Sequence, residues 1–222
     1  MFRRTKLLLG DNIEKLFSAN VIVFGVGGVG GYTAEMLVRS GVGNITIVDF
    51  DIVDISNKNR QIIALDSTIG KNKVNVLKSR LLDINPDCNV IAINAKLLKE
   101  NLEDFNLKNF DYIIDAIDMV TSKIALIEYT HKNNIKIISA MGAGNRIGIP
   151  EFEVVDIYKT YNDGLAKVLR HNLRKLGIDK HNVVFSKNNA IPNGDTIGSI
   201  AYYPAMCGCV LSAFVIEELL KR

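Results

Sequence analysis

The chain has 222 residues, 48% hydrophobic and 23% charged, and its 27 Lys and Arg against 24 Asp and Glu leave a formal net charge of +3. That length can bury a core without help from a metal or a disulfide, and it admits one large or two small domains. The composition excludes an acidic disordered chain, and so small a net charge does not by itself identify a nucleic-acid binder. Three cysteines, an odd number, with no secretory leader argue for a reducing compartment, so the expected location is the cytoplasm.

In chain order, residues 1–6 are basic, and only three leucines follow before Gly10 and Asp11, too few for a signal peptide. Short runs rich in Val and Ile then predict strands over residues 20–25, 44–50, 89–95, 111–116 and 135–140. Between them, helical patterns span 28–40, 71–84 and 120–133. Near-continuous apolar strands alternating with helices predict an α/β fold: a Rossmann-like, doubly wound, mainly parallel sheet flanked by helices.

Beyond Gly144 the rhythm changes. Residues 151–157 alternate as a strand, a helix opens at Gly164 and stops at Gly177, 183–185 form another short strand, and 186–200 read as a long mobile loop. The uncharged stretch 196–216 is long enough to cross a bilayer, but Pro204 divides it, and a buried helix from about Ala205 with no membrane span is the expectation. The simplest organisation is a single domain over 1–222, with 1–150 a nucleotide-binding core and 151–222 a substrate-side elaboration.

Gly25, Gly27, Gly28 and Gly30 follow the first strand and open the next helix in a G-x-G-x-x-G pattern. Such glycines permit a tight turn and let backbone N–H groups approach a phosphate. Asp49, at the end of the second strand, stands where an acid accepts hydrogen bonds from a ribose. Asp51, Asp54, Ser56, Asn57, Lys58, Asn59, Arg60 and Gln61 follow, then Lys71 and Lys73 at the next helix. So many amides and cations suit a polyphosphate better than a nicotinamide.

These residues resemble the E1-like adenylating enzymes of the ThiF, MoeB and HesA type, through G-x-G-G-x-G, the pair Asp49 and Asp51, the run Ser56, Asn57, Asn59, Arg60 and Gln61, then Lys73, and Asp115-Ala-Ile-Asp118. Gly142, Gly144 and residues 156–160 look like one subgroup, the tRNA threonylcarbamoyladenosine dehydratases. The resemblance implies ATP and Mg²⁺ as cofactors: Gly27 and Gly28 approach the nucleotide, Asp49 holds the ribose, Asn57 and Arg60 the phosphates, Lys73 the α-phosphate region, and Asp118 the metal, with Asp115 structural. It also implies that Arg4, or Arg3, reaches the phosphates of a partner subunit in a homodimer. A sulfur-transfer protein is a further partner it brings into view.

The cysteines separate the branches of that family. Cys88, Cys207 and Cys209 do not make the two C-x-x-C pairs of zinc-bearing carrier activators, so no structural zinc is expected. Positive charge gathers instead at Lys167, Arg170, His171, Arg174, Lys175, Lys180 and Lys187, which suits RNA phosphates and makes tRNA the expected partner. Arg146, beside Gly142 and Gly144, is the candidate for a substrate carboxylate. His131 reads as structural, and His171 and His181 as peripheral, so no general base is assigned. The alternatives are an activator of a ubiquitin-like sulfur carrier, an NAD-dependent oxidoreductase, and a nucleotide-binding regulatory module without turnover.

Overall fold

The structure, a computed structural model, describes residues 1–192 and 196–222. Seven strands form one sheet: β1 (Asn20–Phe24), β2 (Asn44–Asp49), β3 (Asn89–Asn94), β4 (Tyr112–Asp115), β5 (Ile137–Ala140), β6 (Phe152–Asp156) and β7 (Asn182–Ser186), in the spatial order β3-β2-β1-β4-β5-β7-β6. All neighbours are parallel except β6, which runs antiparallel to β7 at the edge. The order reverses between β1 and β4, and in open α/β sheets ligands bind beyond the carboxyl ends of the strands at such a switch point.

Strand alternation divides the apolar residues between two layers. Val21, Val23, Ile45, Ile47 and Ile114 face a layer containing α3 (Gly30–Ser40), α4 (Lys73–Ile84) and α7 (Tyr202–Leu220). Ile22, Phe24, Ile113 and Phe185 face the opposite layer, with α5 (Val120–Lys132) and α6 (Gly164–Lys175). Strands buried on both faces explain why the sequence shows apolar runs rather than alternation.

Boundaries move by a few residues where a cap decides them. Helix α7 begins at Tyr202 rather than near Ala205, because Pro204 falls in its first turn, where a missing N–H costs no helical bond. It is long and apolar enough to cross a membrane, yet Tyr203, Cys207, Leu211, Val215 and Leu219 are buried in the core. Sequence patterning gave no sign of α1 (Arg3–Leu9) and α2 (Ile13–Phe17). The first buries no residue, so it carries no amphipathic stripe to read.

Of the predicted loop 186–200, residues 193–195 lie outside the described residues. The rest is tied to the 142–150 loop through Asn145, whose N donates to Gly198 O (2.8 Å) and whose O accepts from Ile191 N (2.6 Å). Its Oδ1 accepts from Gly198 N (2.5 Å), and φ of +55° puts Asn145 in the left-handed region that Asn tolerates.

Candidate active site

The turn after β1 requires glycine at two places. Gly25 has φ +83°, and a Cβ there would lie 2.6 Å from Ala116 O; at Gly30 a Cβ would lie 1.7 Å from Gly25 O. Gly27 is different: a Cβ would meet only Gln61 Nε2, at 3.6 Å, so open space borders this residue. Opposite Gly28 stand Arg60 Cγ and Pro204, which brings the second crossover and α7 to the same loop.

Asp49 ties this loop to the next one. Its Oδ2 accepts from Val26 N (2.7 Å) and its Oδ1 from Asp51 N (2.9 Å). Lys73 opens α4, its N donates to Asp51 O, and its Nζ lies 2.7 Å from Asp51 Oδ2. The lysine is 6% exposed and the aspartate 46%, so the pair has one solvated face.

Asn57 is buried because its Oδ1 accepts from Asp54 N, closing a capped turn with Asp54. Arg60 is held over that turn by Ser56 O and Asn59 Oδ1, both at 2.9 Å, and Asn59 reaches Ser199 O at 3.0 Å. Gln61 is 7% exposed, and its Oε1 has no hydrogen-bond partner among the described residues although its amide borders Gly27. A buried acceptor without a donor is costly. Together with the open space at Gly27 it fits a nucleotide, which carries hydroxyl and amino donors.

Asp118 is exposed, on the turn between β4 and α5. Asp115 is fully buried and spent on Lys123 and Ile117 N, which agrees with a structural role. Among the described residues no cluster of three or more His, Cys, Asp or Glu could hold a metal. Mg²⁺ needs no such cluster, since it keeps several waters and shares phosphate oxygens. A lone exposed carboxylate beside a triphosphate therefore fits it.

Several expected residues are placed elsewhere. Arg3 and Arg4 are exposed on α1, and the start of that helix packs through Phe2 and Phe17 against Gly41, at the far end of α3 from the glycine loop. At 1.5 Å per residue, α3 sets that end roughly 16 Å from the loop. The chain does not bring its own Arg4 to its own site.

Arg146 is 3% exposed rather than open to a substrate. Its Nη2 lies 3.4 Å from Asp163 Oδ2 and from Asn162 O, while Nε and Nη1 have no hydrogen-bond partner among the described residues. Asp163 also accepts from Gly142 N and caps α6, so this cluster binds the 142–146 loop to the helix.

On α6, Lys167, His171, Arg174 and Lys175 are exposed, but Arg170 turns back to Thr160 O (3.1 Å) and Oγ1, and Arg174 lies over the Tyr158 ring. The basic face is real, although two of its arginines also brace the 156–160 turn.

His181 corrects the sequence reading: it is buried, not peripheral. Its Nε2 lies 2.8 Å from Ser139 Oγ and its Nδ1 3.2 Å from His131 Nε2, and burial pushes its pKa down to about 3. A cavity of ≈ 560 Å³ lined by His131, His181 and Asn182 opens near the amino ends of β5 and β7. A second, of ≈ 630 Å³, runs beside Ile63, Thr68 and Asn75. Neither is lined by the glycine loop, and the chemistry is located by donors and charges instead.

Fold and site together define a nucleotide-binding α/β protein with a glycine-rich loop after the first strand, an acid at the end of the second, and a flanking set of amides and cations. The ThiF family pattern matches residues 3–222, and the chain belongs to that family. A relative from Bacillus subtilis (strain 168), tRNA threonylcarbamoyladenosine dehydratase, is 41% identical over 99% of this chain and 94% of its own length. The Escherichia coli (strain K12) protein of the same name is 38% identical over 80% of this chain and 71% of its own. A crystal structure of the E. coli tRNA N6-threonylcarbamoyladenosine dehydratase in complex with ATP superposes with a TM-score of 0.93, at 33% identity, covering 99% of this chain and 93% of the other.

Proposed function

We propose that this chain is an ATP-dependent tRNA threonylcarbamoyladenosine dehydratase. The observation that carries this reading is the gathering of Asp49, Arg60, Gln61 and Lys73 around the glycine loop, in a chain that a dehydratase relative matches over 99% of its length. The substrate is the carboxylate of threonylcarbamoyladenosine at position 37 of a tRNA. It attacks the α-phosphorus of ATP and expels pyrophosphate. The carbamoyl group then closes onto the acyl carbon, AMP leaves, and the ring formed is an oxazolone; the net change in the nucleoside is loss of water.

Each residue has a role that its position supports. Asp49 orients the ribose while its other contacts fix the loop, and the unpaired Gln61 Oε1 accepts a donor of the nucleotide. Lys73 and Arg60 place fixed positive charge where the transferring phosphoryl group gains negative charge, and preorganised charge lowers the barrier without reorganisation in the transition state. Asn57 and Asn59 shape the turn that carries Arg60. Asp118 would hold Mg²⁺, which when bound would neutralise phosphate charge. Arg4 acts across a homodimer, since its own site is at the wrong end of α3.

The exposed side of α6, with Lys167, Arg174 and Lys175, receives RNA phosphates; Arg170 supports it by holding Thr160. Arg146 acts from beneath the substrate side, holding the 142–146 loop against the start of α6 through Asp163 and Asn162 O. In this reading residues 1–150 are the adenylating core and 151–222 the substrate side of one domain.

Pyrophosphate exchange tests the assignment. Exchange stimulated by tRNA carrying the modification supports it, and exchange stimulated only by a ubiquitin-like sulfur carrier overturns it.

A further inference from the structure

Lys123 was not singled out by any motif, yet it is among the largest fully buried side chains, at 0% exposure. It lies in the first turn of α5, and its Nζ is 2.7 Å from Asp115 Oδ2 and 3.5 Å from Asp115 O. The other carboxylate oxygen, Oδ1, accepts from Ile117 N at 3.1 Å. One carboxylate thus ties the end of β4, the turn that follows, and the helix beyond it.

That turn is also the floor of the glycine loop. Ala116 N donates to Phe24 O (2.9 Å), and Ala116 O is the atom that a Cβ at Gly25 would strike at 2.6 Å. Ala116 Cβ stands 3.2 Å from where a Gly30 side chain would begin. Asp118 lies two residues further on, on the same turn.

Stability alone does not account for the pair. Removing two charges from water costs more than their attraction readily returns, and well-packed apolar pairs of similar size are often as stable. Ser139, paired in register with Asp115 and bonded to His181, extends the polar seam but supplies no second counter-charge to Lys123.

We propose that Lys123 is a positioning residue for adenylation: by clamping Asp115 it sets the 116–119 turn, and through that turn both the glycine loop and Asp118. The proposal rests on the adenylating reading above for its turnover assay, but not for its nucleotide-binding assay. It also makes Asp115 and Lys123 a unit, so loss of both is the informative change.

The test is the double variant Asp115→Asn with Lys123→Met, which removes both charges at near-constant volume. A second core variant, Leu126→Ala, serves as the stability control, because Leu126 is a fully buried apolar residue of the same helix and takes no part in the Asp115–Lys123 pair. Expected for the folded double variant are ATP binding weakened at least tenfold and tRNA-dependent AMP release slowed roughly a hundredfold, the usual cost of ångström-scale misplacement. The control, at the same or lower Tm, keeps both within threefold.

Double-variant values within threefold of the wild type in both assays overturn the proposal. Wild-type protein that binds ATP but releases no AMP with the modified tRNA refutes the proposed function and leaves the binding arm standing. If the double variant does not fold, Asp115→Glu replaces it, keeping the charge pair while moving the carboxylate by one methylene. Weakened ATP binding with Tm unchanged then supports the clamp, and unchanged binding overturns it.

Discussion

Substituting Lys73 by methionine separates the stability of this site from its chemistry. The Nζ to Asp51 Oδ2 distance of 2.7 Å indicates a well-made ion pair, but Asp51 is 46% exposed and water can replace most of what the lysine supplies. A half-solvated pair contributes about 1 kcal/mol. For a chain of this size that corresponds to a fall in Tm of about 2–4 °C. Turnover is another matter, because negative charge on the α-phosphoryl group that Lys73 faces increases in the transition state, where a fixed cation stabilises it most. Loss of one preorganised donor costs about 10²–10³ in rate, or roughly 2.7–4 kcal/mol.

The assay is AMP release with saturating ATP and modified tRNA, run beside a thermal melt. A melt close to wild type with turnover down a hundredfold or more is the expected result. Lys73→Arg is expected to fail nearly as badly, since a side chain 6% exposed leaves no room for the wider guanidinium. Turnover within threefold of wild type would refute the placement of this lysine at the reacting phosphate.

Three further outcomes follow from the geometry. Gly30→Ala puts a methyl 1.7 Å from Gly25 O, so ATP binding by calorimetry should be abolished and the fold destabilised by about 2 kcal/mol or more. His181 binds its proton less readily folded than unfolded, with pKa lowered from 6.5 to about 3, so its contribution is present above pH 6.5 and is lost as pH falls toward 3. Chemical denaturation between pH 6.5 and 4.5 should show wild type losing stability more steeply than His181→Phe, by up to about 1.4 kcal/mol per pH unit; equal slopes would count against a buried neutral imidazole. Finally, mixing Arg4→Ala with Arg60→Ala protein should restore part of the activity that each lacks, through heterodimers with one intact site. Absence of any recovery after subunit exchange would place Arg4 outside the chemistry.

How much of this was legible in the sequence varied with the kind of signal. The strands and core helices were read to within a few residues because each buried strand is a continuous apolar run and each helix has a stripe to bury. The glycine loop and Asp49 were legible because glycine and a strand-end acid are required there by sterics and hydrogen bonding, as the 1.7 Å and 2.6 Å approaches bear out. Helix α1 was not legible, since it buries nothing. Lys123 and His181 were missed for a related reason: a lone Lys or His in a helix or before a strand is ordinarily solvated, and only the β4–α5 turn brings Asp115 to Lys123 and only the register of β5 with β7 brings Ser139 to His181. The 142–146 loop was recognised, but Arg146 was read as a partner for a substrate carboxylate because Asp163, its partner 17 positions away, could not be paired with it from spacing alone.

The most direct measurement of the central claim is the mass of the modified nucleoside itself. Purified protein, ATP, Mg²⁺ and tRNA bearing threonylcarbamoyladenosine are incubated together, the tRNA is digested under mild conditions, and the nucleosides are weighed by mass spectrometry. Conversion to a nucleoside lighter by one water, with one AMP released per product and none without ATP, is the expected result. An unchanged nucleoside in the presence of protein that binds ATP and forms an adenylate on a carrier protein instead would contradict the account.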